Sequence, residues 1–289
     1  MKQSRARRIF LSALLAAMLS SLVFTACAST HKAAVKQTSA ESGRSLAAGD
    51  YEKALDLQKK LYQQDPNDKR TLTGYIKTIE EVKRAADRAR SQGEYGPAGG
   101  AYRLLINNWA GFSAFASKLT FVKSDVEAGM RRCRIAMYEA QFRQEIKAAR
   151  YDKALAVYQT ALKEYPGDKT LKAGYAAAAG EIKTIGSKAL AGHDYALAGK
   201  VHGLLLKNIA SFDGLEKGTA LNRKDLDEAI ELCSAQLTNR GLTEYRQGNL
   251  QKAIAVWEDL LAFDPENAEI KKAVETAKAQ LRKLKAATP

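Results

Sequence analysis

The chain repeats itself at an offset of 100 residues, and this constrains its fold more than any other feature. The shift superimposes Tyr51 on Tyr151, Tyr95 on Tyr195, and Lys53-Ala54-Leu55 on Lys153-Ala154-Leu155. It also brings Pro66 and Asp68-Lys69 onto Pro166 and Asp168-Lys169, Gly74-Tyr75 onto Gly174-Tyr175, and Leu104-Leu105 onto Leu204-Leu205. Asn108, Phe112 and Cys133 fall on Asn208, Phe212 and Cys233. Twenty-two of the 83 positions from Tyr51 to Cys133 are identical without a gap, which marks a duplication rather than chance. Repeats of this length stack, each burying its apolar face against the next, and what they produce is surface.

Within each copy the pattern is helical. Gly49-Asp50-Tyr51-Glu52-Lys53-Ala54-Leu55 leads to Asp65-Pro66-Asn67-Asp68. Ala149-Arg150-Tyr151 and Gly248-Asn249-Leu250 open two further units, closed by Pro166 and Pro265. The spacing from Ala54 to Pro66, Ala154 to Pro166 and Ala253 to Pro265 is twelve residues each time. Alanine at a helix crossing lets two backbones approach, and aromatic or leucine side chains one turn on fill the groove. Proline after the last turn stops the helix, and Asp or Asn beside it caps the next one. Tyr158 and Trp257 follow their alanines by four residues, whereas Gln58 stands at that place in the first copy. Gly241 supplies the small residue of the preceding helix in the last copy.

Two weaker units, at Gly93-Glu94-Tyr95 and Gly192-His193-Asp194-Tyr195, keep the turn and the alanine but lack the closing proline. Long first helices are expected near 68–92, 124–148, 168–191 and 224–247, a final helix near 267–286, and no strand. The three strong units resemble the tetratricopeptide repeat, although they are longer than is usual in that family. The resemblance implies an all-α, tetratricopeptide-like α-solenoid of about five helical hairpins plus a C-terminal capping helix.

The N-terminus reads as a processing signal. Lys2, Arg5, Arg7 and Arg8 precede an apolar run from Ile9 to Phe24 that is short for a membrane span. It ends in Phe24-Thr25-Ala26-Cys27, which is similar to the lipobox of bacterial lipoproteins. That resemblance implies a signal peptide over 1–26 and lipid attachment at Cys27, whose acyl chains would hold the protein on a bilayer. The same resemblance implies, from Ala28 standing in place of an aspartate, outer-membrane delivery facing the periplasm. The alternative is an ordinary secretory signal cleaved after Ala26 or Ala28. Residues 27–36 read as a tether and 37–289 as the solenoid, with repeat halves about 45–144 and 145–244 and a last hairpin and cap over 245–289.

The formal charge is +14, and about +10 without the four basic residues of the signal. Lys and Arg are interspersed with Asp and Glu as on solvated helix faces, so no nucleic-acid partner is expected. A basic surface suits anionic lipid or cell-wall polymer, and solubility alone accounts for it equally well. Cys133 and Cys233 occupy equivalent places in successive repeats. Stacking holds such positions farther apart than the about 7 Å that a disulfide tolerates, so buried thiols are expected.

Catalytic chemistry finds no support. His31, His193 and His202 have no second ligand at metal spacing, and Ser29-Thr30-His31-Lys32 lies in the tether. The stretch Gly93 to Gly100 lacks the strand and lysine of a phosphate loop and reads as an inter-helix turn. No enzyme, metal or cofactor is expected. Two long connections, Ala110 to Lys123 and Ala210 to Arg223, invite a functional reading. Phe112, Phe115 and Phe121 in the first either contact a partner or pack onto their own hairpin; a groove lined by successive first helices is the other candidate surface. Taken together, the chain reads as a membrane-anchored periplasmic scaffold that binds a protein partner in cell-envelope assembly or cell-wall machinery. The alternative is a binder or carrier of an anionic envelope glycan or lipid, with a cell-envelope enzyme less supported.

Overall fold

The structure, a computed structural model, describes residues 33–212, 215 and 221–287. The signal peptide, Cys27 and the start of the tether lie outside the described residues. Every regular element described is helical. Helix α1 (residues 33–47) is followed by α2 (Tyr51–Gln64), α3 (Lys69–Ser91), α4 (Tyr95–Asn107) and the short α5 (Trp109–Phe112). Then come α6 (Lys123–Lys147), α7 (Tyr151–Glu164), α8 (Lys169–Ala191), α9 (Tyr195–Lys207), α10 (Arg223–Arg246), α11 (Leu250–Leu261) and α12 (Ala268–Ala287). Consecutive helices pack as hairpins of the α-solenoid class. The chain divides into two compact units after Ala136, within α6.

Each hairpin turn is built the same way. Residues 49, 93, 149, 193 and 248 carry positive φ, at 78°, 80°, 53°, 63° and 79°. In the first turn the Gly49 N–H donates to Leu46 O at 3.1 Å and the Asp50 N–H to Ser45 O at 2.9 Å. The same pair recurs around Gly93, Ala149, His193 and Gly248, closing the preceding helix in a Schellman turn. Some helices are also capped by the side chain just before them, whereas α4, α7 and α11 have no such cap. Asp50 accepts from the Lys53 N–H, Asp68 from Arg70, Asp168 from Thr170 and Leu171, and Asp194 from Leu197. The repeated Asn108 and Asn208 close α4 and α9, each side-chain amide donating to the carbonyl four residues back at 2.9 and 2.8 Å.

In the first unit α3 packs on α2 and α4 around Leu55, Tyr75, Ile79, Val82, Tyr102 and Leu105. Tyr102 lies over Gly129 of α6, where an added Cβ would come within 2.5 Å of its ring. In the second unit α7 to α12 pack in sequence, and Ile270, Val274 and Ala277 of α12 cover Trp257 and Leu260. Ala54, Ala154 and Ala253 are fully buried, as the close crossings require.

The residue twelve before each of these alanines and the residue four after it differ among the three copies. The second uses Phe142 and Tyr158, ring centroids 5.3 Å apart. The last uses Gly241 and Trp257, and the first uses Ser42 and Gln58.

Four expectations are corrected. Residues 33–36, read as tether, belong to α1, since Ala33-Ala34-Val35-Lys36 are compatible with helix. The glycine-rich stretch is a turn only at Gly93; Gly96, Pro97, Gly99 and Gly100 lie in α4. Pro97 is tolerated because it falls in the first turn, where backbone N–H groups have no helical partner. The connection from Ala110 to Lys123 is not an open loop but α5 and a 3-10 helix, Ser113–Lys118. Its counterpart begins with a 3-10 helix, Ile209–Phe212.

Candidate functional site

The three phenylalanines considered as partner contacts are core residues. Phe112, Phe115 and Phe121 are 0, 2 and 9 % exposed. Phe112 meets Tyr75 edge-on at 5.7 Å, Phe115 meets Tyr62 at 5.3 Å, and Phe121 lies 6.0 Å from Trp109. In the second copy Phe212 packs on Tyr175 at 4.8 Å. These rings close the end of their own hairpin and turn inward rather than toward a partner. That is the packing alternative the sequence left open, and it corrects the partner-contact reading.

The buried titratable groups are similarly committed. The Tyr102 hydroxyl donates to Asp87 at 2.5 Å, and the Lys83 ammonium reaches the same carboxylate at 2.6 Å. Burial pushes the Asp87 carboxyl up, but the hydrogen bonds from Lys83 and Tyr102 outweigh it and hold the group below the usual range. Where the second copy replaces Tyr102 by His202, the ring is buried with Nδ1 at 2.8 Å from Ala198 O, and burial lowers its pKa. Cys133 and Cys233 are free and buried, and burial raises both thiols, Cys233 to about 11. Among the described residues no group of three or more His, Cys, Asp or Glu stands at metal-binding distance. No described helix is long and apolar enough to cross a membrane.

One feature of the first unit is not committed. A cleft of about 990 Å³ opens between α1, the C-terminal half of α2 and the start of α3. Val35 and Ala40 of α1 and Leu61 of α2 form apolar walls, and Gln58 lines it from α2. Gln58 is 4 % exposed, and its Oε1 lies against Gly74 of α3, 2.9 Å from where a Cβ would stand. The acidic groups of the rim are used locally. The Asp65 carboxylate accepts from the Asn67 N–H at 3.1 Å, and Asp68 caps α3 through the Arg70 N–H at 2.9 Å. The Thr71 hydroxyl donates to Asp68 O at 2.9 Å.

The sequence marks Gln58 only as a departure from the aromatic pattern. The cleft itself exists only with α1 as one of its walls.

Compared with known proteins, the chain matches no protein family, and no curated protein matches it. Among solved structures it is similar to one described as a circular tandem repeat protein with novel repeat topology and enhanced subunit contact surfaces. Identity is 15 % over 86 % of this chain and 64 % of that chain, with a TM-score of 0.21. The chain thus spans less than two thirds of that protein's length. A likeness at this level bears on neither mechanism nor partner.

Proposed function

We propose that this protein is a membrane-anchored adaptor of the bacterial cell envelope, held by lipid on Cys27 at the periplasmic face of the outer membrane. It binds a protein partner through the surface of its helical hairpins and carries out no chemical step. The observation that supports this reading is the hairpin array itself. Its aromatic and titratable side chains are spent on packing and capping, and its outer faces carry interspersed charge, so contact is the work such a fold performs. The sequence Phe24-Thr25-Ala26-Cys27 supports the anchor.

In-cell crosslinking of the full chain followed by mass spectrometry tests the adaptor reading; a reproducible protein adduct is expected, and its absence would overturn it. The formal charge of +14 favours a second reading, capture of an anionic envelope glycan or lipid. A glycan pull-down from the same cells that succeeds where protein crosslinking fails would establish it.

A further inference from the structure

We infer that the C-terminal end of α12 is a second membrane contact, in which Arg282, Lys283 and Lys285 bind anionic phospholipid headgroups and Leu284 enters the bilayer interface. The inference rests on the membrane-anchored reading above and adds a contact that does not depend on Cys27.

The sequence of α12 sets an apolar stripe at Ile270, Val274, Ala277, Leu281 and Leu284, whose alternating steps of four and three keep one helix face. The second unit buries this stripe only in part. Ile270, Val274 and Ala277 join one cluster with Trp257 and Leu260 of α11, and Leu281 packs at its edge. Leu284 is 58 % exposed. The reason is length. α12 has 20 residues, and α11, against which it folds back through the turn over 262–267, has 12. At about 1.5 Å per residue α12 outruns α11 by about 12 Å, so its last two turns have no α11 beneath them.

Charge changes at the same point. Lys271 and Lys278 bind Glu266 and Glu258 at 3.5 and 2.6 Å. From Thr276 onward the sequence has four basic residues and no acidic one. Arg282, Lys283 and Lys285 are exposed and enter no ion pair among the described residues. The negative end of the helix dipole favours basic side chains in a last turn. It does not extend the apolar stripe past the body that buries it.

That combination selects the partner. A soluble polyanion would use the three charges and leave Leu284 in water. A bilayer interface uses both, because the basic groups reach phosphate while the leucine leaves water. The long stems of Lys and Arg let their heads stay at headgroup level above it. Three charges and one leucine are too few to hold a protein at physiological salt, so the contact orients a chain anchored elsewhere.

The test uses the full chain carrying Cys27→Ser, so that no acyl chain contributes, with Leu284→Cys labelled by an environment-sensitive fluorophore. Cys133 and Cys233 are buried and do not compete for the label. At low ionic strength the probe is expected to shift to the blue with phosphatidylglycerol vesicles and not with phosphatidylcholine vesicles. The shift is expected to vanish in about 0.5 M sodium chloride. Combining Lys283→Glu with Lys285→Glu is expected to weaken vesicle binding about tenfold or more. In unlabelled protein Leu284→Gln is expected to weaken co-sedimentation with the same vesicles about threefold or more. Far-UV circular dichroism confirms that each variant is folded.

No shift with phosphatidylglycerol, an equal shift with both lipids, or undiminished binding by the double Lys→Glu variant would overturn the contact. Undiminished binding by Leu284→Gln would give the charges to a soluble polyanion and overturn the bilayer assignment. None of these outcomes touches the acylation of Cys27, which is read from membrane fractionation of the chain carrying Cys27→Ser alone, so the two readings fail separately.

Discussion

Gly241 lies so close to Trp257 that a Cβ built on it would come within 2.1 Å of the indole Nε1. That nitrogen is itself buried without a hydrogen-bond partner. The glycine is therefore there for space, since its backbone is ordinary helix. Gly241→Ala should destabilise the second unit by about 2 kcal/mol or more, despite the better helix propensity of alanine. Chemical denaturation would measure this, and adding Trp257→Phe should recover part of the loss, because the smaller ring vacates the collision and removes the unpaired N–H.

The five hairpin turns require a left-handed residue, and Ala149 adopts φ 53° without being glycine. Ala149→Gly should stabilise the protein by about 1 kcal/mol, since the steric cost of that conformation exceeds the entropy glycine adds to the unfolded chain. The reverse exchange, Gly248→Ala, should destabilise by a similar amount. Thermal unfolding of the pair should therefore show shifts of opposite sign.

Stability should fall with acid through His202. Burial lowers its pKa below the ordinary 6.5, so the folded protein keeps the ring neutral while the unfolded chain takes up a proton first. The contribution is complete above about pH 6.5 and is lost as pH falls below it. His202→Gln, which does not titrate, should flatten the melting temperature between pH 7 and pH 5.5 relative to wild type. An identical slope in the two proteins would place the acid sensitivity elsewhere.

In the first copy the same helix position is Tyr102, bonded to Asp87. Tyr102→Phe should cost about 1 kcal/mol, because the carboxylate is charged but partly solvated and keeps Lys83. Combining it with Asp87→Ala should cost less than the two single changes together, the signature of a direct contact in a double-mutant cycle.

Cys27→Ser should release the chain from the membrane fraction, since each buried acyl methylene contributes roughly 0.8 kcal/mol to anchoring. Fractionation followed by immunoblotting would show it; an unchanged membrane share would remove lipid attachment from the proposal.

Helix boundaries were legible because their punctuation is local. Pro66, Pro166 and Pro265, the aspartates beside them and the left-handed turn residues act within a few residues of themselves, so α3 and α8 begin and end, and α12 begins, close to where the sequence places them. Two kinds of error have one cause, the dependence of a residue's meaning on position within an element. Pro97 and its glycines read as a breaker, yet the first helical turn accepts them. For Phe112, Phe115 and Phe121 the sequence leaves partner contact and packing both open, because Tyr62 and Tyr75, two of the rings that cover them, lie some forty to fifty residues earlier. The cleft was hidden for the same reason. Gln58 departs visibly from Tyr158 and Trp257, but the cleft it lines depends on where α1 lies.

The three ways of filling one joint have a further consequence. Ser42 with Gln58, Phe142 with Tyr158 and Gly241 with Trp257 each work only as a matched couple, so the copies are no longer exchangeable parts. A hybrid that grafts α11 onto the helix carrying Phe142 would set Trp257, which lies against a glycine in its own joint, against a phenylalanine ring instead. Descent from a common ancestor has left modules that look alike yet fit only their own neighbours.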